Sequence, residues 1–101
     1  MKDCLITVMK VSSFDDLSAL YENPRFSGSC SMVEGMEFVS KDALMPEGFC
    51  ESAWLNLQPY VFALANGGGS FFDGWMKNPH SAMVSCNDGF RPVSFYIETI
   101  D

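Results

Sequence analysis

The chain has 101 residues, 48% of them apolar and 14% aromatic, with six Lys and Arg against thirteen Asp and Glu for a formal charge of −7. That acidity excludes non-specific nucleic-acid binding and attraction to an anionic membrane surface, both of which draw on Lys and Arg, and the apolar content excludes intrinsic disorder. The length allows a single domain with one core, too small to take in every aromatic ring, so a homo-oligomer or a protein partner is expected.

The first stretch, "CLITVMKVS" (4–12), is β-branched and alternating, which predicts a strand with Ile6 and Val8 on one face. In "SSFDDLSALYENP", Ser13 is placed as the N-cap of a short helix over about 14–22. Asp15 and Asp16 suit its first turn, Phe14, Leu17, Leu20 and Tyr21 recur at helical spacing, and Asn23-Pro24 stops it. "RFSGSCSMVEGMEFVS" reads as turn-rich, then as a strand over about 36–40 entered through Gly35. "KDALMPEG" is a loop.

Residues 51–66, "ESAWLNLQPYVFALAN", predict a helix with Trp54, Leu57, Val61, Leu64 and Ala65 as its apolar stripe. Pro59 inside the pattern predicts a kink or two abutting helices, and Gly67 is placed as the residue that ends it. "SFFDGWMKNPHS" is an aromatic loop. "AMVSC" and "RPVSFYIETI" predict two strands joined through Asn87-Asp88-Gly89, residues that tolerate positive φ. The order β-α-β-α-β-β with a closing hairpin predicts an α+β fold: a small, largely antiparallel sheet packed against the Pro-kinked 51–66 helix and the short 14–22 helix.

No apolar run approaches the ~20 residues of a membrane span, and the N-terminus carries no signal-peptide pattern, so a cytoplasmic chain with reduced thiols is expected. The run "NGGGS" follows a helix and lacks the Lys-Ser/Thr of a phosphate loop, which makes it a cap. His80, the only histidine, lies in a turn, so neither serine nor cysteine hydrolase chemistry has a clear base. Of the four cysteines, Cys30, Cys50 and Cys86 each fall beside the end of an element, and a thiolate at Cys50 would be favoured by the free N–H groups of the following helix. Glu47, Trp54, Asp88 and Arg91 are the residues expected to line such a site. No CxxC pair is present, so a metal, iron–sulfur or redox site would need ligands from separate loops, and buried structural thiols stand as the plainer reading.

The stretches "GSCSMVEGMEF", "MPEGFCESAW", "PYVFALANGGGSF", "WMKNP" and "SCNDGFRPVSFYIETI" together resemble a family of short bacterial and archaeal proteins, common in anaerobes. That family shows a cysteine before Gly-x-x-Phe, then Pro-Glu-Gly-Phe/Leu-Cys, Pro-Tyr-x-x-Ala-Leu-x-x-Gly-Gly and Cys-x-Asp-Gly-x-Arg-Pro-Val-x-Phe. The resemblance spans nearly the whole chain. It implies no activity, substrate or cofactor, but Cys30, Cys50 and Cys86 fall on its pattern positions and Cys4 on none.

Three functions follow as expectations. The first is a small binding or accessory protein with a site on Cys30, Cys50 and Cys86 for a thiolate-bound metal, iron–sulfur cluster or redox partner. The second is an interaction or structural subunit with buried cysteines that uses Phe71, Phe72 and Trp75 as its contact surface. The third is a small thiol enzyme using Cys50.

Overall fold

Strand β1 (Asp3–Val11) alternates as the sequence predicts: Cys4, Ile6 and Val8 are buried on one face. The computed structural model describes residues 1–26, 28 and 30–100; Ser27 and Ser29, within the turn-rich stretch, and Asp101 lie outside the described residues. Helix α1 (Asp15–Tyr21), strand β2 (Glu37–Ser40), helix α2 (Glu51–Ala65), a 3-10 turn (Phe71–Asp73), and strands β3 (Ser81–Ser85) and β4 (Val93–Ile100) follow in order. The four strands form one antiparallel sheet, ordered β2-β1-β4-β3. The α+β fold is as expected.

β1 and β4 make the centre, with Ile6 opposite Ile97 and Val8 opposite Phe95. Val93, Phe95 and Ile97 therefore share the inner face with Ile6 and Val8, and α2 lies on them through Ala53, Leu57, Val61 and Leu64. Each such buried aliphatic side chain contributes roughly 1.5–3 kcal/mol. Cys4 belongs to this core. Its thiol is fully buried and donates to the Val61 carbonyl at 3.9 Å, and burial, helped by the Asp3 carboxylate, pushes its pKa up.

Several local expectations need correction. Of the two alternatives at Pro59, abutting helices are not found: α2 runs through it as one helix. Phe14, not Ser13, occupies the N-cap position of α1, and the Ser13 hydroxyl donates to the Asp15 carboxylate at 2.6 Å. α1 buries none of its residues: Phe14, Leu17, Leu20 and Tyr21 are all exposed. Its apolar spacing therefore does not mark a core face. The 86–92 connection is a hairpin loop as predicted, but none of Asn87, Asp88 and Gly89 takes a positive φ. The Asp88 carboxylate shapes it instead, accepting from the Phe90 and Arg91 amides at 2.8 and 3.2 Å.

Other punctuation is as read. Gly35 and Gly67 both adopt positive φ. At the end of α2, the Gly67 N–H donates to the Leu64 carbonyl and the Gly68 N–H to the Ala63 carbonyl, which is the Schellman closure a left-handed glycine permits. The Lys2 N–H donates to the Ala65 carbonyl at 2.7 Å. The end of α2 is thereby fixed over the start of β1, and its first turn over the opposite pole.

The opposite sheet face is open, with Met9, Val39 and Met83 exposed and Leu5 and Tyr96 half-buried between them. Because Leu57 is central to the α2 contact and has no solvent exposure, Leu57→Ala is expected to lower stability by about 2–5 kcal/mol. Urea unfolding checks this: the midpoint falls with the slope unchanged.

Candidate functional site: a cavity lined by three cysteines

The pole where α2 begins holds a cavity of about 690 Å³. Three separated parts of the chain build it: residues 21–23 and 26 with Gly28, Cys30 and Ser31, the Gly48–Ser52 entry into α2, and the β3–β4 connection. Cys30, Cys50 and Cys86 all line it, one from each part. The fold thus brings together the three cysteines singled out in the sequence and leaves Cys4 in the core.

Each cysteine is placed by its neighbours. Cys50 occupies the N-cap position of α2, and its carbonyl accepts from the Trp54 N–H at 2.9 Å. Its side chain makes no cap bond, so the helix N–H groups are not satisfied by this thiol. Phe49, just before it, is buried against Phe38, Trp54 and Phe95, with ring centroids 5.0, 6.1 and 5.4 Å apart. That aromatic anchor fixes where Cys50 emerges. Cys86 continues β3: its N–H donates to the Val93 carbonyl at 3.0 Å and its sulfur accepts from the Val93 N–H at 3.3 Å. The Cys30 sulfur accepts from the Met32 N–H at 3.4 Å and is the most exposed of the three.

The charged groups of the cavity are committed to one another. Arg91 makes a bidentate ion pair with Glu22, Nη1 donating to Oε1 at 3.0 Å and Nη2 to Oε2, and Nη1 also approaches the Ser18 hydroxyl at 3.4 Å. This fork holds the Glu22 carboxyl below the ordinary carboxylate range, the hydrogen bonds to Arg91 being the largest cause, and raises Arg91 in turn. Asp88 is occupied by the amides of its own loop. The remaining walls mix the rings of Tyr21, Phe26, Phe49 and Phe90 with the polar Asn23, Ser31, Ser52 and Asn87. Of the three thiols, Cys30 and Cys86 each accept one backbone N–H, and Cys50 makes no cap bond.

Of the other residues expected to line a site, Asp88 and Arg91 do so, whereas Glu47 and Trp54 fall outside the lining. Glu47 is exposed on its loop, and Trp54 points its ring at Phe49. His80 precedes β3 while Cys86 follows it, so the histidine stands roughly 20 Å along the strand from that thiol. It belongs to the other pole, its carbonyl accepting from the Thr99 N–H. The aromatic loop forms its own cluster: Phe71 and Trp75 both face Tyr60 of α2, at 5.1 and 6.5 Å, and Phe72 meets Trp75 edge-on at 5.1 Å. Among the described residues, no group of three or more His, Cys, Asp and Glu stands close enough to hold a metal ion. Sequence reading missed Glu22, because its partner lies 69 positions away. It also missed Phe49 and Phe26, which carry no periodic signal inside loops.

Comparison with known proteins adds nothing to this geometry: no family model, curated protein or solved structure matches the chain.

The Glu22–Arg91 pair is the tie between α1 and the β3–β4 loop. With its folded-state pKa lowered, Glu22 contributes stability that is present above its ordinary value of 4.5 and lost as pH falls through the lowered one. Hydrogen exchange at the Glu22 amide, which closes α1 on the Ser18 carbonyl, is expected to lose protection only once the pH has fallen below the ordinary Glu value of 4.5. In Glu22→Gln, protection should already be low at neutral pH and should not change further. Equal protection in the two proteins at neutral pH would contradict this.

Proposed function

We propose that this chain is a small cytoplasmic binding protein whose working part is the thiol-lined cavity, and that its ligand is a soft metal ion taken by Cys30, Cys50 and Cys86. The observation that carries this is the meeting of three cysteines from three distant chain segments in one cavity, while the fourth is spent in the core. A shared donor set is the simplest reason for such convergence in a chain with only four cysteines.

The donor chemistry selects the ligand class. Hard cations need carboxylates, and here Glu22 and Asp88 are already engaged. Structural zinc and iron–sulfur clusters are built on four protein ligands, commonly four thiolates in the clusters, and this cavity offers three thiols. Thiolates favour soft ions such as monovalent copper. Among the described residues the sulfurs do not stand together at ligand distance of an ion, so binding requires the three thiols to close on it.

The test is titration of the reduced protein, purified without oxygen, with a monovalent copper or silver ion against a competing chelator. A thiolate-to-metal absorption and one ion per chain are expected. Each of Cys30→Ser, Cys50→Ser and Cys86→Ser should weaken binding at least about tenfold, as expected for losing a direct ligand, and Cys4→Ser should not. A featureless spectrum, or equal binding by all four variants, would remove the proposal.

The aromatic loop favours a second reading, a protein-interaction subunit. Phe72 is 73% exposed and held in a left-handed backbone conformation at φ 53°, next to the exposed Trp75. A non-glycine residue kept there stores about 1–2 kcal/mol of strain while presenting an apolar ring to water. If this surface is the function, Trp75→Ala abolishes capture of a partner while Cys50→Ser leaves it intact; the converse result supports the cavity. A third reading, nucleophilic catalysis at Cys50, has no histidine beside it and requires alkylation of Cys50 far faster than of a free thiol.

A further inference from the structure

The sheet has two edges, and they are managed differently. At β3, the Ser85 carbonyl accepts from the Asn56 side chain at 3.2 Å and Ser81 is fully buried, so that edge is partly covered. At β2 it is not. The Val8 N–H donates to the Met36 carbonyl at 2.9 Å, and the register then pairs Ile6 with Phe38 and Cys4 with Ser40. In an antiparallel ladder alternate residues turn both main-chain groups toward one neighbour. Met36, Phe38 and Ser40 therefore face β1, and Glu37 and Val39 face outward; Lys41, just past the strand, gives its carbonyl to the Leu44 N–H at 3.0 Å but keeps its side chain on the line of Glu37 and Val39. All three are exposed. Outward main-chain groups of this kind are a template for another strand unless something covers them.

The side chains say which strand fits. Val39 sits midway between Glu37 and Lys41, so the edge reads acid, apolar, base at alternate positions. Antiparallel pairing of two such edges about a two-fold axis at Val39 sets Val39 against its own copy. It sets Glu37 against the second copy's Lys41, and Lys41 against the second copy's Glu37. Opposite charges directly across a ladder favour the pairing, where like charges would oppose it. The flanks match as well. Val33 and Met36 lead into β2 and Leu44 and Met45 lead out, all of them exposed, with Val33 at 63% and Leu44 at 67%. The same two-fold axis brings the apolar entry of one strand beside the apolar exit of the other, as an isologous interface requires.

We propose that β2 is the interface of a homodimer in which the two sheets join edge to edge into one antiparallel sheet. The occupant is a second copy of this chain because the charge pattern is complementary to itself; a strand of different sequence would have no reason to match it.

Sedimentation equilibrium over a concentration series tests this. The wild-type chain is expected to reach twice its 11.2 kDa mass by about 100 µM. Lys41→Glu, which sets two acids against each other twice in the dimer, should raise the dissociation constant at least about tenfold. The charge swap Glu37→Lys/Lys41→Glu should restore it. Val39→Pro removes an outward N–H that the β1 ladder does not use, so it should leave the monomer folded by circular dichroism and abolish dimerisation. Trp75→Ala should dimerise normally. A chain that stays monomeric overturns the proposal and leaves the edge to a partner of another sequence. So does a dimer insensitive to Lys41→Glu, to the swap and to Val39→Pro, or one lost in Trp75→Ala, which would place the interface on the aromatic loop.

Discussion

Everything about this molecule depends on how α2 is pinned across β1 and β4. Leu57, Val61 and Leu64 bury themselves on Ile6, Val8, Phe95 and Ile97, and the Lys2 amide fastens the last turn of the helix over the start of β1. The direction of the helix is then fixed. Its first turn must lie over the end of β1, the start of β4 and the end of β3, since neighbouring strands are antiparallel. Cys50 precedes that turn and Cys86 follows β3, so the two thiols share a pole as a consequence of helix direction alone. Reversing the helix would separate them by the length of the sheet. A different tie closes the third wall of the cavity: the Glu22–Arg91 fork holds the end of α1 against the β3–β4 loop.

One helix over one sheet face also explains the exposed apolar surface. A two-layer chain of this length can bury one side of its sheet and one stripe of its helix. The outer side of α2 keeps Leu55 and Phe62 in water, and the open sheet face keeps Met9, Val39 and Met83 there. The aromatic wealth read in the composition therefore divides. Phe49, Phe95 and Phe38 build the core beside Cys50, and Phe72 and Trp75 stand outside it.

The strands and α2 were legible because their burial follows period two or period 3.6, and that burial is what the apolar pattern encodes. Gly67 was legible because only a left-handed residue closes the helix that way. Ser13 and Asn87-Asp88-Gly89 were read by residue preference, and preference lost to local competition: Asp15 took the Ser13 hydroxyl, and the Asp88 carboxylate organised its loop without any positive φ. α1 has helical spacing but no surface to bury against, so its apolar residues say nothing about the core. The three-cysteine cavity was legible only in outline. Sequence could place each thiol at the end of an element, and helix direction, a tertiary property, decided that those ends meet. Glu22 was out of reach for the same reason, since nothing near it in the chain announces Arg91.

Phe49 links the two regions to which roles are assigned. Its ring touches Phe38 on β2 from one side and Phe95 from the other, and its carboxyl neighbour is Cys50. Phe38 turns its main chain to β1 and its ring inward, while its neighbours Glu37 and Val39 turn theirs to the free edge. The Phe38–Phe49 contact therefore joins the edge strand to the residue before Cys50. Close packing is what makes such a contact consequential: a ring held on three sides by Phe38, Trp54 and Phe95 cannot shift without moving the backbone that follows it.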